Sequence, residues 1–257
     1  MPVNLTIDEG IATIVLDRPE RLNAMDQEHY RLLSEAWIEV RDNPAIRVAI
    51  ITGAGERAFS VGADLKSFAG SPPPLDQVWQ PQKDMLLNRG LEIFKPIIAA
   101  VNGYCLGGGM TLLLATDIRI ASSSAVFGLS EVKRGLIAAN GGTQRILRQL
   151  PHAIGMEMLL TGDNISAEDA ARWGLVNRVT EPDQLMQTAQ DMARRIAINA
   201  PLALQASKEL ALRSYDTDLA SGLRSEQVAN RLLQTSQDLA EGTKAFSEKR
   251  PPNFQGH

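Results

Sequence analysis

Two glycine-rich segments contain the residue types that bind a ligand oxygen through backbone N–H groups. SVGADLK (60–66) follows the apolar run RVAIIT (47–52), and NGYCLGGGMTLLLA (102–115) follows the apolar run IIAAV (97–101). Ligands of α/β proteins bind at the carboxyl ends of parallel strands, where such turns lie. Two N–H donors aimed at one oxygen stabilise a developing oxyanion. The alternative interpretation is that these glycines only allow tight turns or close helix packing.

An acidic side chain is the second candidate for chemistry. Glu131 lies in AVFGLSEVKRG (125–135), directly after a short strand-like run. A carboxyl group in an apolar setting has a raised pKa and can carry a proton. The alternative is a solvated loop glutamate that pairs with Lys133 or Arg134.

Other motifs indicate structure rather than chemistry. TGAGERAF (52–59) has the spacing of a dinucleotide fingerprint, but it lacks the helix and the distant acidic residue that this site needs. Cys105 and Tyr104, beside the triple glycine, are predicted to be packing residues. Asp117 is predicted to be a structural turn or capping carboxylate.

Metal and nucleic-acid sites are disfavoured by composition. The chain has one cysteine and three widely separated histidines, so it lacks the spacing of a metal site or a disulfide framework. The formal net charge is −4. An acidic protein without basic clusters repels phosphate backbones, so we expect no nucleic-acid partner. From the cysteine and histidine spacing we expect no metal.

The uncharged stretch 96–115 is a possible membrane span that needs a separate interpretation. It contains Asn102 and four glycines, and this favours a buried strand, a turn and a buried helix over a span. The start, MPVNLTIDEG, has no apolar region of a signal peptide. We therefore expect a cytoplasmic protein that does not cross a membrane.

The elements that must position these groups follow an α/β pattern. A hairpin is predicted over residues 2–16 and a helix over 26–41, with buried strands at 47–52, 97–101 and 118–121. Strands alternating with helices favour βαβ units. After residue 180 the pattern changes to four helices, so we predict an α/β core over 1–180 and a helical part over 181–257. These helices are predicted over 182–198, 201–213, 217–233 and 236–248.

Six motifs in a fixed order resemble the crotonase family, also called the enoyl-CoA hydratase/isomerase family, over nearly the whole chain. The resemblance implies a ββα spiral core with a helical C-terminal trimerisation region, and a homotrimer or dimer of trimers. It also implies an acyl-CoA thioester as ligand, with no other cofactor. The motifs are DRPERLNAM (17–25), AFSVGADLK (58–66), VNGYCLGGGMTLLLATDIRIA (101–121), FGLSEVKRGLIAANGGTQRI (127–146), ARWGLVNRV (171–179) and EGTKAFSEKRPPNF (241–254).

The resemblance also implies roles for particular residues. The amides of Ala63 and Gly108 match the oxyanion hole of the family. Contacts with CoA are implied for the turn that contains Ala63 and its neighbours, for a position near the adenine, and for C-terminal positions that often come from a neighbouring subunit. In this sequence those positions are Ala63, Asp64, Leu65 and Lys66, then Ala24, then Phe246 and Lys249.

The main departure from the family concerns the second catalytic glutamate. Hydratases of the family use two glutamates; one matches Glu131, but the other position holds Thr111, which cannot act as a carboxylate base. Thr111 therefore either fills the gap or holds a water through its hydroxyl. A further departure is LIAANGG (136–142), where Asn140 is a candidate to bind a substrate hydroxyl or water. The acyl pocket is expected to be shaped by Trp79, Met85 or Leu86.

The sequence thus predicts an enoyl-CoA hydratase-type lyase with Glu131 as its single catalytic glutamate. The main alternative is a Δ3,Δ2-enoyl-CoA isomerase, in which one glutamate moves a proton from C2 to C4. Aromatic hydratase-lyases and thioester hydrolysis are further acyl-CoA alternatives. A different class is a non-catalytic or RNA-binding homologue, which the acidic composition disfavours.

Overall fold

The computed structural model describes residues 1–68 and 85–257. Its strands are β1 (Val3–Asp8), β2 (Ile11–Leu16), β3 (Val48–Gly53), β4 (Ala58–Ser60), β5 (Ile97–Val101), β6 (Tyr104–Leu106), β7 (Ile118–Ser122), β8 (Val126–Gly128), β9 (Ile165–Ser166) and β10 (Arg178–Thr180). Its helices are α1 (Gln27–Asp42), α2 (Leu65–Phe68), α3 (Gly108–Leu113), α4 (Gly142–Gln149), α5 (His152–Thr161), α6 (Ala167–Arg172), α7 (Leu185–Ala197), α8 (Pro201–Arg213), α9 (Leu219–Leu233) and α10 (Gln237–Glu248). Single 3-10 turns cover Pro19–Arg21, Leu87–Arg89, Glu131–Arg134 and Pro182–Gln184.

The main sheet has the strand order β1-β2-β3-β5-β7-β10. β1 and β2 form the predicted hairpin, with Val3 opposite Leu16 and Asp8 opposite Ile11. Glu9 and Gly10 connect them with φ of 47° and 77°, the positive values that a two-residue type I′ turn requires. The remaining neighbours pair in parallel, so the predicted α/β class is confirmed.

β3 and β5 are buried on both faces of the main sheet. Along β3, Ala49 and Ile51 belong to one apolar cluster, whereas Val48 and Ile50 belong to another on the opposite face. The second cluster is closed by α7 through side chains spaced four residues apart, which place one face of that helix on the sheet. α7 is therefore part of the core, although it follows the last strand; its buried side chains are Leu185, Ala189, Ala193 and Ala197.

A second, smaller sheet has the order β4-β6-β8-β9 and was not predicted from the sequence. β4, β6 and β8 have three residues each, too few for a periodic pattern to appear. They pair in parallel, and each follows a strand of the main sheet. The glycine turns therefore follow β4 and β6, not RVAIIT and IIAAV directly as predicted. The turns still lie on neighbouring parallel strands.

The last strand ends at Thr180, and the regular elements after it are helices, as predicted. α9 begins at Leu219 rather than 217, because the Asp218 side chain accepts a hydrogen bond from the amide of Ser221 and caps the helix. α8 and α9 contain no buried residue in this single chain.

Two structural expectations concern residues near the glycine turns. Asp117 accepts hydrogen bonds from the amide of Ile97 and lies 2.7 Å from Lys208 Nζ, so its predicted structural role is confirmed. Cys105 is fully buried, and burial raises the pKa of its thiol. Tyr104 is 42% exposed, so its prediction as a packing residue is wrong for this single chain.

Candidate active site

The two glycine turns meet through their backbones. Gly62 has a φ of +88°, and a Cβ added there would lie 2.4 Å from the nitrogen of Gly108. A Cβ on Gly109 would lie 2.2 Å from the carbonyl oxygen of Ser60. No side chain fits at either position. The close-packing interpretation of the glycines is therefore confirmed, and this packing brings the two turns together. The interpretation as an oxyanion-binding pair stays a prediction.

The amides of Ala63 and Gly108 differ from those around them. The amide of Gly62 donates to Ser60 Oγ, that of Asp64 to the carbonyl of Met25, and that of Gly107 to the carbonyl of Gly128. Within residues 1–68 and 85–257, neither Ala63 nor Gly108 has a hydrogen-bond acceptor for its N–H. Gly108 is in the first turn of α3, where helix amides lack intrahelical partners. Two neighbouring donors are thus available to one ligand oxygen.

Residues 17–25 hold the first turn in place. The Asn23 amide donates to the carbonyls of Ala54 and Ala58, and Asn23 is 1% exposed. The Met25 amide donates to the carbonyl of Gly62 at 2.8 Å, which links this segment directly to the turn. The positioning role of Asn23 was missed from the sequence, because its donors meet carbonyls more than 30 residues away.

Arg18 ties the same segment to the residue after Ala63. Its Nη1 donates to Asp64 Oδ2 at 3.0 Å and to the carbonyl of Ala24 at 3.3 Å. It also lies 3.3 Å from Asp26 Oδ2. Arg18 therefore links Asp64 to Ala24 and Asp26 and is shared between the carboxylates of Asp26 and Asp64.

The two turns open into a cavity of about 490 Å³. It brings together seven of the predicted site residues: Ala63, Asp64, Lys66, Gly108, Thr111, Glu131 and Asn140. The sequence did not single out the other residues that line it, which are Arg21, Tyr30, Val61, Leu106, Gly107, Ser130, Arg134, Leu136, Ile137 and Ala139.

Glu131 begins a 3-10 turn after β8 and lines this cavity, and among the described residues no cation lies within ion-pair distance of its carboxyl group. Lys133 pairs with Asp163 at 2.6 Å, and Arg134 donates to the backbone and hydroxyl oxygens of Ser130. The alternative of a glutamate paired with its neighbours is therefore wrong. Oε2 of Glu131 is buried and has no hydrogen-bond partner among the described residues. Burial raises the pKa of this carboxyl group, so it is suited to proton transfer.

Thr111 lies on α3 and is 1% exposed. Its hydroxyl donates to the carbonyl of Gly108 at 3.0 Å and accepts from Asn88 Nδ2 at 3.1 Å. Its methyl group faces Gly142, where a Cβ would lie 2.9 Å from Thr111 Cγ2. Thr111, at the position that the resemblance assigns to a second glutamate, is therefore a packed residue held by Asn88 and Gly108. Asn88 was missed because it lies in a 3-10 turn with no pattern of its own.

Several predicted residues do not line this cavity in the single chain. Ala24 is buried behind the first turn, and Phe246, 88% exposed, lies on a separate groove formed by α8, α9 and α10. Lys249 caps the end of α10 with a φ of 55°. Leu65 begins α2.

Of the residues expected to shape the acyl pocket, Met85 and Leu86 are described. Leu86 is 1% exposed, belongs to the main core and does not line the described cavity. Met85 is 46% exposed and does not line the described cavity. Trp79 lies outside the described residues. Neither a helix suited to crossing a membrane nor a cluster of three metal-ligating side chains occurs in the described part of the chain.

Known proteins show the same sequence pattern and fold. A family model described as enoyl-CoA hydratase/isomerase matches residues 6–257. (E)-Benzylidenesuccinyl-CoA hydratase of Thauera aromatica is 44% identical over 259 residues, covering 100% of both chains. Carnitinyl-CoA dehydratase of Salmonella arizonae is 42% identical, covering 99% of this chain and 98% of the relative. The crystal structure of an enoyl-CoA hydratase from Bacillus anthracis matches with a TM-score of 0.93 and 35% identity over 100% of both chains.

The chain belongs to the enoyl-CoA hydratase/isomerase family. The predicted crotonase-like fold and the predicted hydratase-type acyl-CoA enzyme are both confirmed. The roles of the individual site residues remain predictions.

Proposed function

We propose that this enzyme adds water reversibly to the double bond of a 2-enoyl-CoA, with Glu131 as its proton carrier. One observation carries the proposal. Ala63, Gly108 and Glu131 line one cavity, and among the described residues the two amides have no acceptor and the buried Oε2 of Glu131 has no hydrogen-bond partner. Hydration of an enoyl thioester needs this combination of oxyanion stabilisation and proton transfer.

The amides of Ala63 and Gly108 and the carboxylate of Glu131 account for every proton and electron pair of the reaction. The thioester oxygen accepts hydrogen bonds from the amides of Ala63 and Gly108. As the oxygen of water bonds to C3, the C2–C3 π pair moves towards C1 and forms an enolate at the thioester oxygen. The carboxylate of Glu131 takes a proton from the water and then gives it to C2. Since the proton returns to the product, we propose that no cofactor is needed beyond the CoA of the substrate.

The CoA moiety is assigned to the rim of the cavity near the first turn. Arg21 and Lys66 are exposed cations there, and they suit the phosphates of CoA. The hydrogen bond from Arg18 to Asp64 lessens the repulsion between that carboxylate and the phosphates. We place the adenine near Ala24. Phe246 and Lys249 lie away from this rim in one chain, so their proposed contacts with CoA come from a neighbouring subunit.

Assembly as a homotrimer or dimer of trimers is part of the proposal. The last three helices expose large apolar side chains that a monomer leaves in water. We also expect a cytoplasmic location. Light scattering on a size-exclusion column tests the stoichiometry. The exposed apolar side chains of these helices are Leu202, Leu212, Leu219, Leu223, Val228, Leu232, Leu239 and Phe246.

For the acyl group, we propose a 2-enoyl chain that carries a second carboxyl group. In support, the relative at 44% identity is named for benzylidenesuccinyl-CoA. The described cavity also holds Thr111 where a second glutamate would add a negative charge, and an anionic acyl group is repelled less by one carboxylate than by two.

A panel of thioesters tests the reaction and the acyl group together. Hydration of crotonyl-, benzylidenesuccinyl-, crotonobetainyl- and feruloyl-CoA is followed by absorbance and mass spectrometry. We expect hydration with the highest kcat/KM for benzylidenesuccinyl-CoA. Hydration of none of these thioesters would overturn the proposal, and a preference for crotonyl-CoA would overturn the acyl assignment alone.

Isomerisation is the second candidate, because a single glutamate is enough to move a proton from C2 to C4. A 3-enoyl-CoA added to the panel separates the two reactions. Conversion of 3-enoyl-CoA to 2-enoyl-CoA without addition of labelled water would favour the isomerase. Incorporation of ¹⁸O from labelled water into the product favours the hydratase.

A further inference from the structure

Arg134 is a cation in the wall of the active-site cavity that the proposed hydration reaction does not use. It lines the same cavity as Glu131. The other two cations among the described lining residues, Arg21 and Lys66, belong to segments around the first glycine turn, where the phosphates of CoA are proposed to bind. Arg134 instead follows β8, in the 3-10 turn that begins with Glu131. One cation of the cavity therefore lies on the side where the acyl group reacts.

The geometry of this 3-10 turn places Arg134 beside Glu131. The turn covers Glu131–Arg134, so the two side chains stand at positions i and i+3. Side chains with this spacing lie one above the other in a 3-10 helix, about 6 Å apart along its axis. Burial raises the pKa of Glu131, and the charge of Arg134 lowers it in part. The two side chains thus act on each other across a short distance.

Two hydrogen bonds to Ser130 fix the guanidinium and leave most of its donors available. Nη1 of Arg134 donates to the carbonyl oxygen of Ser130 at 3.2 Å and to its hydroxyl oxygen at 2.9 Å. A guanidinium has five N–H donors, and Nη1 supplies two of them. Within residues 1–68 and 85–257, Nε and Nη2 have no acceptor, and no carboxylate pairs with Arg134. These two nitrogens form the fork that binds a carboxylate through two parallel hydrogen bonds.

The neighbouring cation, Lys133, has a partner. Its Nζ lies 2.6 Å from Oδ1 of Asp163, and it does not line the described cavity. Of two adjacent cations in one turn, the one outside the cavity is therefore compensated, whereas Arg134 in the cavity wall is not compensated by any described carboxylate. A positive charge of this kind in a cleft attracts an anionic ligand group.

We propose that Arg134 binds the second carboxylate of the acyl group and thereby determines a preference for anionic acyl-CoA substrates. This inference rests on the proposed hydration reaction, which places C2 and C3 of the acyl group beside Glu131. A carboxylate attached close to these carbons reaches the side chain three residues further along the turn. The guanidinium donates two hydrogen bonds to it through Nε and Nη2. Its charge also offsets the repulsion between this carboxylate and ionised Glu131.

A matched pair of substrates tests this assignment. The pair is benzylidenesuccinyl-CoA and the derivative in which its free carboxylate is a primary amide, which has nearly the same size and no charge. The ratio of the two kcat/KM values measures the preference for the carboxylate. We expect the wild type to prefer the carboxylate, and Arg134→Gln to lower the ratio by about 10–30-fold, because a charged hydrogen bond is lost.

The pH of the measurement matters, because removing Arg134 also raises the pKa of Glu131. Both substrates are therefore compared above the acidic limb of each enzyme. An effect on Glu131 or on the shape of the turn changes both kcat/KM values together and cancels in the ratio. Only a contact with the carboxylate itself changes the ratio.

Two further variants sharpen the test. Lys133→Gln is the matched control, because it removes the adjacent cation, which pairs with Asp163, and it should leave the ratio unchanged. Arg134→Lys keeps the charge without the fork, so it should recover part of the preference. Circular dichroism and light scattering check that each variant is folded and assembled.

The outcomes separate this inference from the proposed function. A wild-type enzyme that hydrates no thioester overturns the proposed function, and the inference with it. A wild-type enzyme that hydrates the carboxylate and the amide with equal kcat/KM overturns the acyl assignment and the inference, but hydration stands. If the wild type prefers the carboxylate and Arg134→Gln keeps the same ratio, the inference alone is overturned, whether the two rates are unchanged or fall together.

Discussion

The cavity has two walls that are built by different means. The donor wall, residues 61–64 and 106–108, presents backbone N–H groups. The acid–base wall, formed by Thr111 and Glu131, presents side chains. In the donor wall, glycines allow the two turns to touch, and a Cβ at Gly62 would lie 2.4 Å from the nitrogen of Gly108. In the acid–base wall, side chains from two separate segments line one cavity, and Asn88 supports Thr111 through a hydrogen bond.

This difference determines which wall is free to vary. A substitution in the donor wall must keep both a backbone path and a close approach, so few residues are compatible with it. A side chain of the acid–base wall can change while the backbone stays in place, as the hydrogen-bonded Thr111 shows. The donor wall is therefore suited to stabilising the enolate, the step that thioester reactions share. The acid–base wall is suited to selecting which of these reactions takes place.

The largest expected effect comes from removing one donor. Ala63→Pro deletes the N–H, and Ala63 does not have a positive φ, so the proline does not have to adopt a left-handed backbone. Loss of one oxyanion donor costs about 10²–10³ in kcat. Ala63→Ser keeps the N–H and is the matched control. A folded Ala63→Pro enzyme that turns over at the wild-type rate would contradict the donor assignment.

The next effect concerns the acid–base wall. Glu131→Gln keeps the shape and removes the ionisable group, so kcat should fall by at least about 10²-fold while thioester binding stays nearly intact. Stopped-flow hydration and calorimetric binding of a saturated acyl-CoA measure the two properties. The control is Glu168→Gln on α6, which removes an exposed pair with Arg172. A full rate in Glu131→Gln would place the proton transfer on another residue.

The same difference explains how much the sequence could predict. The donor wall was predicted from its motifs, because glycines near strand ends leave a local signal. β4 and β6, which carry the turns, were missed because three residues show no periodicity. Asn88 was missed because its role depends on a contact with Thr111, 23 residues away. Long-range side-chain contacts of this kind leave no pattern in a single sequence.

Glu131 is intermediate between the donor wall, which was predicted from the sequence, and Asn88, which was missed. Its residue type and its motif indicated a proton carrier, but a paired loop glutamate was an equally local interpretation. The structure distinguishes them, because Lys133 and Arg134 have other partners, Asp163 and Ser130. Which neighbour a charged side chain selects depends on the packing of α5 and of the loop after it, and this lies beyond local sequence.

A smaller effect is expected when charge is added to the acid–base wall. Thr111→Glu places a like charge in the cavity with Glu131, and this raises further a pKa that burial has already raised. Glu131 must be ionised to accept a proton, so kcat/KM falls as the pH drops through that pKa. The acidic limb should therefore move to higher pH, by roughly one unit. Thr111→Gln, neutral and of equal length, should not move it. If the acidic limb of Thr111→Glu stays in place or moves to lower pH, a charge at position 111 does not act on Glu131, and the two positions are too far apart to interact.

The smallest effect is on stability. Because burial raises the pKa of Glu131 above its ordinary value of 4.5, the folded state binds its proton more tightly than the unfolded state does. This contribution to stability is complete below the ordinary pKa and is lost as the pH rises through the raised pKa. At neutral pH the ionised carboxylate therefore opposes folding, and Glu131→Gln should raise the Tm, by about 2–4 °C for each kcal/mol relieved.

Calorimetry at two pH values isolates this contribution. At neutral pH Glu131→Gln should melt above the wild type, and at a pH below 4 the difference should shrink towards zero. Glu168→Gln should show no rise at either pH. A rise for Glu131→Gln, together with its loss of turnover, would show that the carboxylate is kept in the cavity for chemistry although it lowers stability. Equal melting temperatures at neutral pH would mean that ionised Glu131 is compensated in solution, and its role as the raised-pKa proton carrier would fail.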